Sequence, residues 1–170
     1  MIATLFEKPV AKAAYISECG AYRYWLQRVW DEPTDLLAFV MLNPSTADAE
    51  LDDPTIRRCV GFAKREGRGG IVVVNLYAGR ATQPADLFKM ADPKGPNNPD
   101  QWMSWLRHER TKVVCAWGAE PKAHGQAYDF HRFARREDVQ LWCLGTTKDG
   151  HPKHPLYLRN DAPLIPYRRG

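Results

Sequence analysis

Asn43-Pro44-Ser45-Thr46 follows directly on an apolar run that ends at Leu42. A proline after Asn43 keeps that asparagine out of the helical region and removes a backbone donor, so the chain leaves the run extended with its amide aimed in a fixed direction. Such an amide can hold a water or read a ligand edge, and equally it can close an Asx-turn that ends a strand. Four carboxylates follow within six residues: Asp48, Glu50, Asp52 and Asp53. Together they could hold a hard divalent cation, yet the alternate spacing and central glycine of the usual oxygen-ligand loop are missing. Taken singly, Asp53 is placed to cap a helix starting at Pro54, Asp52 lies beside that N-terminus, and the other two fall on a solvated loop. No metal is assigned on this pattern.

Asn75 closes a second apolar run, "IVVVNL" (71–76). Buried there, an amide would cost roughly 1–3 kcal/mol per unsatisfied group unless something met it. The partner is either a loop backbone or, since asparagine offers a donor and an acceptor side by side, the edge of a base. His151 and His154 lie in "GHPKHPLY", a loop stiffened by Pro152 and Pro155. With no further Cys or His nearby, zinc ligation is a poor match to this pair. A neutral imidazole donating to developing negative charge suits the loop, as does a rigid surface role. There is no GxGxxG, no GxxxxGK[ST] and no GxSxG, which removes the common phosphate loops and the nucleophile elbow. No cofactor is expected.

Elements able to position these residues can be read from the same chain. "LLAFVML" (36–42), "IVVVNL" (71–76), "KVVCAW" (112–117) and "VQLWCL" (139–144) are short and almost continuously apolar, as parallel strands covered on both faces are. Tyr15–Cys19 and Tyr22–Trp30, rich in aromatic and β-branched residues and split by Gly20-Ala21, predict an antiparallel hairpin at a sheet edge. Helices are expected from Pro54 to the glycines at 67–70, around Pro84–Met90, over Gln101–Arg110, and over Pro121–Arg136. The alternation predicts an α/β fold, a three-layer sandwich around a four-stranded mainly parallel sheet with an N-terminal β-hairpin. We read one domain over 1–170, with the hairpin extension at 1–32 and the α/β core at 33–170. Ligands of such sheets bind beyond the carboxyl ends of the strands, where Asn43, Asn75, Trp117 and the loop after residue 144 would converge.

A chain of 170 residues with 44% hydrophobic and 26% charged content can bury an ordinary core without disulfides or metal. No segment reaches the ~18 consecutive apolar residues of a bilayer span, and "MIATLFEKPVAKAAY" lacks the order of a signal peptide, so the expected address is cytoplasmic and no membrane partner is expected. The four cysteines have no CxxC spacing. Residues 1–99 carry 12 basic and 12 acidic residues, and residues 100–170 carry 12 and 8, a bias that permits contact with phosphates without demanding it. Oligomeric state leaves no mark in the sequence.

In order, "FVMLNPSTADAELDDPTIRRC", "VVVNLYAGRATQPADL", "VVCAWG" and "CLGTTKDGHPKHPLYL" closely resemble the bacterial and phage family filed as domain of unknown function 1643. More distantly the chain resembles the uracil-DNA glycosylase superfamily. "MLNPS" is similar to its Gly-Ile-Asn-Pro-Gly motif and puts Asn43 at the water-positioning asparagine. Asn75 in "VVVNLY" looks like the asparagine that reads the uracil edge, and Ala116-Trp117-Gly118 is similar to a strand-ending Leu-Trp-Gly. "HPKHPL" looks like a variant of His-Pro-Ser-Pro-Leu, with Lys153-His154 in place of the serine.

That resemblance implies an N-glycosylase-like hydrolase acting on a nucleobase, with DNA or a nucleotide as partner. Asn43 would hold the water, His151 or His154 would stabilise the departing base, and Leu156 would wedge into DNA. Ser45, Thr46, Asn75, Tyr77, Arg80 and Trp117 would surround the base, Tyr77 or a nearby aromatic ring stacking on it. Lys148, Lys153 and Arg159 would meet phosphates. The alternatives are a catalytically silent module binding a nucleotide or a partner through the same rim, and a metal-dependent hydrolase using Asp48 to Asp53.

Overall fold

The computed structural model describes residues 11–32 and 35–168. Residues 1–10 of the N-terminal stretch read above for a leader, and residues 33 and 34 just after the boundary drawn at 32/33, lie outside the described residues. Seven strands form one sheet: β1 (Ala11–Ile16), β2 (Arg23–Val29), β3 (Leu36–Met41), β4 (Gly70–Asn75), β5 (Thr111–Cys115), β6 (Leu141–Cys143) and β7 (Ile165–Pro166). Their order is β1-β2-β4-β3-β5-β6-β7. The inner four, β4-β3-β5-β6, run parallel, while β2 joins β4 and β7 joins β6 antiparallel. The sheet is therefore mixed and larger than four strands. The hairpin is continuous with it, Leu26 lying opposite Val73 and fully buried.

The helices are α1 (Pro54–Arg65), α2 (Pro84–Leu87), α3 (Asn98–Leu106) and α4 (His124–Arg136). Every residue of β3 and β4 is buried, because successive side chains enter two different cores. Leu37, Phe39 and Met41 pack with Ile56, Cys59 and Phe62 of α1. Ala38 and Val40 pack with Trp102 and Leu106 of α3 and Phe130 and Phe133 of α4. Covering both faces turns what would be alternation into the continuous apolar runs of the sequence.

Local chemistry sets the ends. Asp53 caps α1, its Oδ1 accepting the Ile56 N–H at 2.9 Å, with Pro54 at the start where a missing N–H costs nothing. Pro99 plays the same part in α3, which consequently begins at Asn98 rather than at the expected Gln101. The helix expected over 84–90 closes after four residues. From β3 the chain crosses to β4 on one side and later returns to β5 on the other. The carboxyl ends of β3, β4 and β5 thus flank a switch point, the place where open α/β sheets leave a crevice. Among the described residues no helix is long and apolar enough to cross a membrane.

Candidate ligand-binding cleft

A cleft of about 430 Å³ opens at that switch point. Met41, Leu42, Asn43 and Ser45 supply one wall as β3 ends, and Val73 and Asn75 the floor from β4. The start of α1 contributes Asp53, Thr55 and Ile56, the segment after β4 contributes Ala81 to Pro84, and Trp117 follows β5. His154, Leu156 and Tyr157 come from the C-terminal loop, and Arg23 from the start of β2.

Asn43 is a fastener. Its Nδ2 donates to the carbonyls of Pro44 (3.0 Å), Gly79 (3.3 Å) and Ala81 (2.8 Å). The segment leaving β4 is thereby laced to the segment leaving β3, beside backbone bonds from Leu76 N to Met41 O, Tyr77 N to Leu42 O and Ala81 N to Pro44 O. Any contact of Asn43 with a ligand or water falls to Oδ1, because an amide nitrogen has two protons and three carbonyls already compete for them.

Asn75 is the reverse case. Its carbonyl accepts from Asn98 Nδ2 and Trp102 Nε1, both at 2.9 Å, and the next carbonyl, of Leu76, accepts from Asn98 Nδ2 and Gln126 Nε2. Three side chains of α3 and α4 thus pin the end of β4. The Asn75 side chain, 1% exposed, has no protein partner on either Nδ2 or Oδ1. A buried amide left open on both atoms, at the floor of a cleft, is complementary to a ligand offering an acceptor and a donor side by side.

Of the two histidines, His154 is the one that lines the cleft. Its Nδ1 accepts the Leu156 N–H at 3.2 Å, capping the 3-10 turn Pro155–Tyr157, so the neutral ring carries its proton on Nε2. Burial pushes its pKa below the ordinary value, with Asp53 pulling the other way, and the neutral donor form is favoured. His151 lies apart, stacked on His124 with ring centres 4.9 Å apart. The loop holding both is tied back by Gly118, whose N–H donates to Pro152 O at 2.9 Å and whose φ of 78° is the left-handed conformation that glycine takes freely. Arg58 and Arg65 of α1 grip the chain beyond: Arg58 Nε donates to Pro155 O (3.3 Å) and its other nitrogens reach Leu158 O and Asn160 Oδ1, while Arg65 reaches Asn160 O and Ala162 O.

Several residues expected at the site lie elsewhere. Tyr77 is buried, 5% exposed, edge-on to Phe88 at 5.2 Å with its hydroxyl on Lys122 O, so it cannot offer a face to a base in this cleft. Arg80 donates to Gly20 O in the hairpin turn. Thr46, Lys148 and Lys153 are exposed outside the cleft. The acidic run acts as structure: Asp48 Oδ1 accepts from Glu50 N and Leu51 N, Asp52 pairs with Arg28, and Asp53 is the cap.

Sequence reasoning missed Arg23, Gln83 and Tyr157, and weighed Asp53 as a helix cap and as a metal ligand but not as part of this cleft. Arg23 left a signal, a cation inside the aromatic run "YRYWLQRVW". Tyr22 pairs with Gly79 while Leu26 pairs with Val73, so four residues of β2 face six of the chain leaving β4. An irregularity of this kind re-aims side chains, and here it accompanies Arg23 entering the cleft wall.

With this geometry in hand, comparison adds a family. The chain belongs to DUF1643, a family described as proteins of unknown function, whose model matches residues 23–156. No curated protein and no solved structure matches it significantly. The match begins at Arg23 and ends at Leu156, both of which line the cleft.

Proposed function

We propose, from membership of a family that carries no assigned activity, that the cleft receives a nucleobase and that the protein binds it or releases it hydrolytically from a nucleotide or nucleic acid. The observation that carries this reading is Asn75, an amide held rigidly by its own backbone contacts, buried, and open on both polar atoms. Its donor and acceptor match the edge of a base, whose faces would lie between the apolar walls. In hydrolysis a water oxygen would bond to the sugar C1′ as the bond to the base nitrogen breaks, the electron pair leaving with the base and the proton lost by the water ending on the released base. His154 Nε2–H would donate to that charge, and Asn43 Oδ1 would hold the water.

The motif correspondence with uracil-DNA glycosylases supports the reading, since Asn43, Asn75, Trp117 and His154 all come to this one cleft in the order the resemblance gives them. On this reading the molecule is a three-layer sandwich about its four parallel strands. A flipped base would pass Leu156 and Tyr157, exposed at the mouth by 36% and 84%. Lys148 and Lys153 would meet flanking phosphates, while Arg159 already faces Asp161 at 3.1 Å.

A second reading, a binding module without turnover, is favoured by the engagement of Asn43 Nδ2 in three structural bonds. The two separate in one assay: single- and double-stranded oligonucleotides carrying uracil, hypoxanthine or thymine mismatches are incubated with the protein and scored for abasic sites. Abasic sites that vanish in Asn75→Ala establish hydrolysis. Binding that depends on Asn75 without any abasic product establishes the module, and neither result would remove the nucleobase from the cleft.

A further inference from the structure

Arg23 and Arg28 lie on the same strand, and both are buried, 2% and 0% exposed. Arg28 has a partner on each nitrogen: Nε donates to Asp52 Oδ1 at 2.8 Å, Nη1 to Gln27 O at 2.8 Å, and Nη2 to Asp48 O at 2.7 Å. Arg23 is not. Its Nη1 donates to Ala47 O at 2.8 Å, its Nε is buried without a partner, and among the described residues it forms no ion pair. Asp53 acts on it through space while holding the helix cap. Burial pushes the Arg23 pKa down only to about 10, so the group is a cation at neutral pH.

A guanidinium has five donors and no acceptor. Taken out of water with donors open, it needs an acceptor, and a charged one best. The same cleft holds the Asn75 amide, open on both atoms. One group reads a donor–acceptor edge, and the other only donates, to lone pairs. An exocyclic amine presented to Arg23 would set donor against donor, whereas a carboxylate or an ionised ring oxygen would meet a fork of parallel N–H groups.

We propose that Arg23 makes this cleft selective for negative charge, the preferred ligand being a base-sized heterocycle that carries an anionic group beside the edge read by Asn75. The inference rests on the nucleobase reading and adds the charge of the ligand. The space of about 430 Å³ admits a ring with such a substituent.

Calorimetric titration of the full chain with orotate, uracil and orthophosphate tests it, using the native protein, Arg23→Gln and Arg23→Lys. Orotate and uracil share a ring and differ by a carboxylate. Orotate should bind at least tenfold tighter than uracil, and Arg23→Gln should erase that preference while Arg23→Lys keeps part of it. Should the variants not fold, the Arg23 Nε–H resonance of the native protein, assigned through bonds, should move as orotate is added. A stationary resonance, an orotate preference that survives in Arg23→Gln, or equal affinities for the two rings overturns the proposal. Uracil binding without discrimination would keep the nucleobase reading and remove the role of Arg23. Orthophosphate binding through Arg23 with neither ring bound would keep the anion site and remove the nucleobase.

Discussion

Asn75 is held in a costly state, and its substitution should show it. Each open polar atom of a buried amide carries a penalty of roughly 1–3 kcal/mol, so Asn75→Leu, of similar size and apolar, should leave the ligand-free protein as stable or more stable while abolishing base binding. A thermal melt beside a binding titration decides it, and a large loss of stability would mean the amide has a structural partner. Arg28 gives the opposite expectation. Asp52→Ala leaves a fully buried cation without its carboxylate, and should cost on the order of 3–5 kcal/mol in urea unfolding. His154 adds a pH signature. Burial pushes its folded pKa below the ordinary 6.5, so as pH falls the unfolded chain takes up the proton first. Stability should decline as pH drops from above 6.5 through the folded value and level off below it. Denaturant midpoints between pH 8 and pH 5 should trace that slope, and His154→Gln should flatten it. Asn43 and Asn75 were legible in the sequence because each is a polar residue where an apolar run ends, and the stiff loop marked His151 and His154 without saying which of them faces the cleft. Arg23 was not, since its place depends on a register irregularity between β2 and β4, and Tyr77 was misplaced because the chain has left the strand by then and its ring packs on Phe88 with the hydroxyl on Lys122 O.

At the scale of elements, the strands were legible wherever both faces are covered, since burial on two sides writes a continuous apolar run. The start of α1 was legible from Asp-Pro. The two-residue β7 and the 3-10 turn at 155–157 were not, being too short to carry a period. The join between hairpin and sheet was hidden for another reason: β2 pairs with β4, more than forty residues onward, and local pattern says nothing of such partners. Two joints hold the cleft open in its shape. One is the Gly118 turn, where Gly118→Ala should cost about 1–2 kcal/mol because an alanine resists a φ of 78°, and should loosen the Pro152 contact beneath His154. Thermal melts measure the first effect, and amide exchange at Gly118 the second. The other joint is Asn98, whose amide bridges two carbonyls at the end of β4.

For the molecule as a whole, a net charge of +4 drawn from 24 basic and 20 acidic residues makes charge a weak guide to a polymer partner. Oligonucleotide affinity, if Lys148 and Lys153 meet phosphates, should fall as salt rises, with a log–log slope of about one to two for that number of contacts. A flat curve would point to a free base or nucleotide instead. The grip of Arg58 and Arg65 on the chain near Asn160 bears on the order of events in folding. These contacts join residues about a hundred positions apart, and the loop they fasten supplies His154, Leu156 and Tyr157 to a cleft whose opposite wall begins at Arg23. Such long closures form late and slowly. On a ribosome, the half-made site would stand with its floor laid and its last wall still missing, so recognition has to wait until the segment around Asn160 has emerged and been fastened to α1.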